Sequence, residues 1–77
     1  MEEFLKTIIL NLVDNKEAVE IKRVDSEQSI TFEVKVAEED MGRVIGRQGR
    51  TAKSIRTVMK SVAAKEGHPK VSIEFIG

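Results

Sequence analysis

The sequence predicts an α+β fold in the order α-β-β-α-α-β, a three-stranded mixed sheet with three helices packed on one face. Three observations predict it. Ile30, Phe32, Val34 and Val36 alternate with Thr31, Glu33 and Lys35, the period of a strand with one buried face. Phe4, Leu5, Ile8, Ile9, Leu12 and Val13 recur two per turn, the stripe of an amphipathic helix. Ala52, Ile55, Met59, Val62 and Ala63 line one side of a second, longer helix. A chain of 77 residues has room for one domain, here taken as residues 1–77.

The first helix stops in the polar run Asp14-Asn15-Lys16. Val19 and Ile21 then alternate with Glu20 and Lys22, giving a short strand to about Val24. Asp25-Ser26-Glu27-Gln28-Ser29 is turn chemistry, because Asp and Ser side chains hydrogen-bond their own backbone, so the first two strands form an antiparallel hairpin. From Ala37 to Ile45 the charge runs from Glu38-Glu39-Asp40 to Arg43, the order that suits a helix dipole, and a helix of two turns is expected. Gly46-Arg47-Gln48-Gly49 breaks it, and a long helix follows from about Arg50 to Lys65. Gly67-His68-Pro69 ends that helix. Val71, Ile73 and Phe75 alternate with Ser72 and Glu74 in a third strand. Two helices between strands two and three make a crossover, so those strands pair in parallel. All three Phe fall on apolar stripes and are expected to be buried. Thr31, Glu33, Lys35, Ser72 and Glu74 face water.

The formal net charge is zero, from 13 basic and 13 acidic residues. That excludes a chain that is basic throughout, but the zero is a cancellation. Residues 1–18 carry a net −2, residues 19–41 a net −4, and residues 42–65 a net +7 with no acidic residue at all. The chain has no cysteine, hence no disulfide framework and no thiolate metal site. No apolar run approaches the roughly 20 residues of a membrane span. The opening Met1-Glu2-Glu3 lacks the basic start of a signal peptide, so a cytoplasmic protein without a membrane partner is expected.

The basic window brackets the segment Gly42-Arg43-Val44-Ile45-Gly46-Arg47-Gln48-Gly49-Arg50. Two helices joined in so few residues need backbone angles that glycine adopts cheaply. The next helix then presents first-turn N–H groups with no partner inside the helix, and with them the positive end of its dipole, a place for a phosphate. Arg47, Arg50 and Lys53 surround that point with charge. Val44, Ile45 and Ile55 are the candidate walls of a shallow aliphatic groove beside it. Phosphates held at a Gly loop and bases laid on such a groove describe recognition of single-stranded nucleic acid.

The element order, together with Val44-Ile45-Gly46-Arg47-Gln48-Gly49, resembles a type II KH domain, whose GXXG loop is matched by Gly46 to Gly49. The longer run from Gly42 to Arg56 is similar to the small bacterial KH-only RNA-binding proteins, the KhpA family, and the resemblance covers essentially the whole chain. It implies single-stranded RNA as ligand, gripped through Arg43, Val44, Ile45, Gly46, Arg47, Gln48, Gly49, Arg50, Lys53 and Arg56, with about four nucleotides read in the groove. It further implies an RNA-chaperone or post-transcriptional role and a larger KH partner of the Jag type; from the residues themselves no cofactor or metal is expected. The sequence itself leaves a monomer, a homodimer and a heterodimer equally open. The connection Glu66-Gly67-His68-Pro69-Lys70 forms one lip of the groove in this family, and its shortness implies weakly sequence-selective binding.

Other chemistries fit less well. No Gly is followed by Lys as a P-loop requires, and the GxGxxG spacing of a dinucleotide fold is absent. His68 is the one imidazole and sits in a turn, so no hydrolytic triad is visible and the chain is read as a non-enzyme. Glu38-Glu39-Asp40 is read as a helix first turn rather than a cation site. No surface aromatic offers the stacking platform of an RRM or OB-type binder. A KH-shaped adaptor without RNA affinity is the remaining rival, and the intact Gly46–Gly49 loop with Arg47 in it speaks against that.

Overall fold

The computed structural model describes residues 1–67 and 70–76. Its elements are helix α1 (Glu2–Leu12), strands β1 (Glu20–Asp25) and β2 (Ile30–Lys35), helices α2 (Met41–Ile45) and α3 (Arg50–Lys65), and strand β3 (Val71–Ile76). Single 3₁₀ turns occupy Lys16–Ala18, Glu38–Asp40 and Arg47–Gly49. The sheet order is β1-β2-β3. β1 runs antiparallel to β2, with Glu20 opposite Lys35 and Asp25 opposite Ile30. β2 runs parallel to β3, with Ile30 opposite Val71 and Lys35 opposite Ile76. The expected α-β-β-α-α-β order and mixed sheet are therefore present.

One core holds the two layers together. Ile30, Phe32 and Val34 of β2, with Val71 and Ile73 of β3, turn one way and meet Leu5 and Ile9 of α1, Val44 of α2, and Ile55, Met59 and Ala63 of α3. The strictly alternating burial along β2 is the period-2 pattern made physical. On the other sheet face Lys35, Ser72 and Glu74 are exposed, and Thr31 and Glu33 are partly covered.

Two expectations need correction. Phe32 is fully buried and Phe75 partly so, but Phe4 is 45 % exposed. A helix turns about 100° per residue, so with Leu5 pointing into the core, Phe4 is carried to the flank of α1. The two-turn helix expected from Ala37 to Ile45 is a 3₁₀ turn followed by a short α-helix. The bend between them lets Asp40 point inward, where it is 1 % exposed. The helix-stopping Gly67 has φ +82°, and its expected companions His68 and Pro69 lie outside the described residues.

Candidate nucleic-acid interface

The turn between α2 and α3 is built on left-handed backbone. Gly46 has φ +76° and ψ 173°, Gln48 φ +56° and ψ 26°, and Gly49 φ +76° and ψ 11°. The Gly46 N–H donates to the Gly42 carbonyl at 2.9 Å, and the Gly49 N–H donates to the Gly46 carbonyl at 3.2 Å. Gly46 is required twice over. Its ψ belongs to a region open essentially to glycine alone, and a Cβ there would stand 2.7 Å from Thr51 Cβ and 2.9 Å from its backbone nitrogen. Gly49 has open space around it, so only its φ demands glycine. Gln48 adopts the same left-handed region with a side chain, at a cost of about 1–2 kcal/mol. The strain sits at the tip of the turn, where Arg47 and Gln48 stand exposed.

Gly49 is also the N-cap of α3 and brings no capping side chain to its first turn. The positive end of the helix dipole is therefore uncovered by any carboxylate or hydroxyl cap. Arg50 and Lys53 flank it, both exposed. Among the described residues, Arg47, Arg50, Lys53, Lys60 and Lys65 form no ion pair. Their field is not neutralised locally.

The structure distributes the other sequence-derived site residues differently. Val44 has no exposed surface and Ile55 is 4 % exposed, so both belong to the core under the turn and neither lines an open groove. Ile45 is half-buried and packs against that core while keeping part of its surface outside. Arg56 lies against β3, where its Nη2 and Nε donate to the Ile73 carbonyl at 3.3 and 3.4 Å. Its guanidinium also sits 5.8 Å from the Phe75 ring centroid. This contact joins the α3 flank to the free edge of the sheet. Arg43 points to the other side and pairs with Asp14 at 2.9 Å and with Asp40 at 3.6 Å.

Asp40 is the structural tie beside the site that sequence reasoning missed. Its Oδ1 accepts the Asp14 N–H at 3.1 Å and its Oδ2 accepts the Asn15 N–H at 3.0 Å. The carboxylate thereby ties the end of α1 to the start of α2. Those two backbone N–H groups, Asn15 first, hold its pKa below the ordinary 3.8 against the opposing effect of burial, with help from Arg43 and Lys16. The one sequence clue was an acidic residue three positions before Arg43, which a helix first turn explains equally well. A carboxylate engaged in this way is not the free ligand that a cation site at Glu38-Glu39-Asp40 would need.

Residues 2–75 match the family model for the KhpA/KhpB KH domain. The chain is 53 % identical over 76 residues to an RNA-binding protein KhpA of Clostridium acetobutylicum, a match covering 99 % of this chain and 100 % of the relative. An RNA-binding protein KhpA of Chlamydia trachomatis is 46 % identical, covering 99 % of this chain and 96 % of its own length. One of Listeria monocytogenes is 45 % identical, covering 99 % of each. These relatives are small bacterial binding proteins rather than enzymes, and their length is spanned almost completely. With the element order, the mixed sheet and the Gly46–Gly49 turn in place, the chain belongs to the KhpA/KhpB family of KH domains, with the type II arrangement.

Proposed function

We propose that this protein binds single-stranded RNA, gripping the sugar-phosphate backbone at the Gly46–Gly49 turn and laying about four nucleotides along the adjacent flank of α3. The observation that carries the reading is the turn itself. Two left-handed glycines push Arg47 and Gln48 into solvent at the uncapped start of α3, inside a window of seven basic and no acidic residues. Arg47, Arg50 and Lys53 supply charge to the phosphates, and backbone N–H groups supply direction. The exposed part of Ile45 forms the near wall of the groove, and Arg56 on the β3 edge forms the far one. Gly46 and Gly49 shape the grip, while Val44 holds α2 beneath it. Arg43, paired with Asp14 and Asp40, braces the α1 side of the turn and offers its remaining N–H groups to the RNA backbone.

The relatives' names support RNA as the polymer. A single site with few phosphate contacts binds weakly, so affinity in the cell comes from pairing with a second site, in a homodimer or with a larger KH chain of the KhpB (Jag) type. A weak, sequence-tolerant grip suits an RNA chaperone or post-transcriptional regulator.

Replacing Arg47 and Gln48 by Asp tests the grip. Asp tolerates left-handed backbone, so the turn keeps its shape while its charge reverses. Fluorescence anisotropy with a short unstructured oligoribonucleotide is expected to show at least a tenfold loss of affinity, with the melting temperature unchanged. Undiminished affinity overturns the reading.

A further inference from the structure

Arg56 is held differently from the other basic residues of the groove. Arg47, Arg50 and Lys53 stand exposed, and among the described residues none of them forms an ion pair. Arg56 has no ion pair either, but its guanidinium is pinned from two directions. Nε and Nη2 both donate to the Ile73 carbonyl, at 3.4 and 3.3 Å. That carbonyl belongs to β3, an edge strand of the sheet. The guanidinium carbon also lies over the Phe75 ring, 5.8 Å from its centroid. Val58, 41 % exposed, comes two residues later, about 200° further around α3, and so belongs to the opposite flank.

This arrangement decides what Arg56 can offer a ligand. The side edge formed by Nε and Nη2 is a fork with which arginine grips a phosphate by two bonds. Here that edge is turned onto Ile73. One face of the guanidinium is backed by Phe75, which is partly buried, while Arg56 itself is exposed. The surface left to solvent is the flat face turned away from the ring. A plate that is already fixed loses little freedom when a second plate is laid on it.

We propose that Arg56, backed by Phe75, is the base-stacking platform of the groove and gives the site a preference for a purine at the nucleotide laid on it. The proposal rests on the single-stranded RNA reading above and deepens it. Unpaired bases stack on aromatic rings or on arginine planes. The chain has no Trp and no Tyr, and the ring on this flank, Phe75, lies beneath Arg56, so the arginine supplies the plane. The two fused rings of a purine cover more of a guanidinium than the single ring of a pyrimidine. Lys53 and Lys60 stand three residues before and four after Arg56, on the same flank and exposed, where they reach the phosphates on either side of the stacked base. Arg56 lies about 9 Å along α3 from Arg50, within the path of a strand gripped at the Gly46–Gly49 turn.

The test uses three short oligoribonucleotides at about 0.15 M salt. One is all uridine, one carries a single adenosine, and one carries a single purine riboside, whose base lacks exocyclic groups. The unaltered protein is expected to bind both purine-bearing strands roughly fivefold more tightly than the uridine strand. NMR is expected to show the Arg56 side-chain protons moving upfield under the purine ring current. Arg56→Lys keeps the charge and removes the plane, and Phe75→Leu keeps apolar volume and removes the ring. In both, the purine-to-uridine affinity ratio is expected to fall toward one. Lys53→Gln is expected to weaken binding to all three strands and to keep the ratio. Equal affinity of the unaltered protein for all three strands overturns the platform and leaves the groove reading standing. So does a ratio that survives in Arg56→Lys or Phe75→Leu, or a gain for adenosine without one for purine riboside, which would mean that the base edge is read instead. Failure of the unaltered protein to bind any of the strands overturns the groove reading, and the platform with it.

Discussion

Gly42, Gly46 and Gly49 lie within eight residues and have three different physical grounds. Gly46 is demanded by its backbone angles and by Thr51 beside it, Gly49 by its φ alone, and Gly42 by neither. Gly42 sits inside α2 with ordinary helical φ and open space where a Cβ would stand. Gly42→Ala is therefore expected to stabilise the protein by about 0.5–1 kcal/mol. Gly46→Ala is expected to destabilise it by at least about 2 kcal/mol. Thermal melts of both variants check the contrast, and equal effects at the two positions would contradict it. At this scale the sequence was informative about Gly46 and Gly49, because a helix-to-helix turn of four residues leaves few alternatives. It was silent on Val44 and Ile55. Apolar residues next to a loop read the same whether they line a groove or close the core beneath it, and only packing decides.

Among the elements, β2 and α3 were legible because each has a single apolar face with a long, clean period. α1 was legible in its stripe but not at its edge, where Phe4 rests on the flank. The Glu38–Asp40 turn was not legible as 3₁₀, since its geometry answers a contact more than twenty positions away in the chain, from Asp14 and Asn15 to the Asp40 carboxylate. That contact gives the junction of α1 and α2 its own pH dependence. The folded-state pKa of Asp40 is lowered from 3.8, so its contribution to stability is fully present above the unfolded value and is lost as pH falls through the folded one. Stability measured by denaturant titration is expected to fall below about pH 4. Asp40→Asn is expected to be less stable at pH 7 and to show a shallower decline on acidification. A parallel decline in both proteins would assign the acid sensitivity to other carboxylates.

For the whole molecule, zero net charge conceals opposite halves. The acidic excess lies in residues 1–41 and the basic window, residues 42–65, contains the turn. A local excess of positive charge attracts a polyanion even when the net charge is zero. If two to four phosphates are held, the logarithm of the RNA association constant should fall with the logarithm of salt concentration at a slope of about 1.4 to 2.8. Binding isotherms at several salt concentrations measure it, and a flat response would remove electrostatics from the grip. The topology was readable at this scale from element order alone, because two helices between two strands enforce a crossover. How charge is shared around the turn was not, since Asp14, one of the two partners of Arg43, comes from the loop after α1 and the partner of Arg56 from β3, both distant in the chain. The same topology sets a timetable for synthesis. β1 pairs with β2 across a short turn, but Ile30 must wait for Val71, forty-one positions later. At about 5–20 residues per second, the outer edge of β2 stands without its neighbour for roughly 2–8 s on the ribosome. In that interval α1, made first and carrying Leu5 and Ile9, is the one helix already complete to shelter Phe32 from the wrong strand.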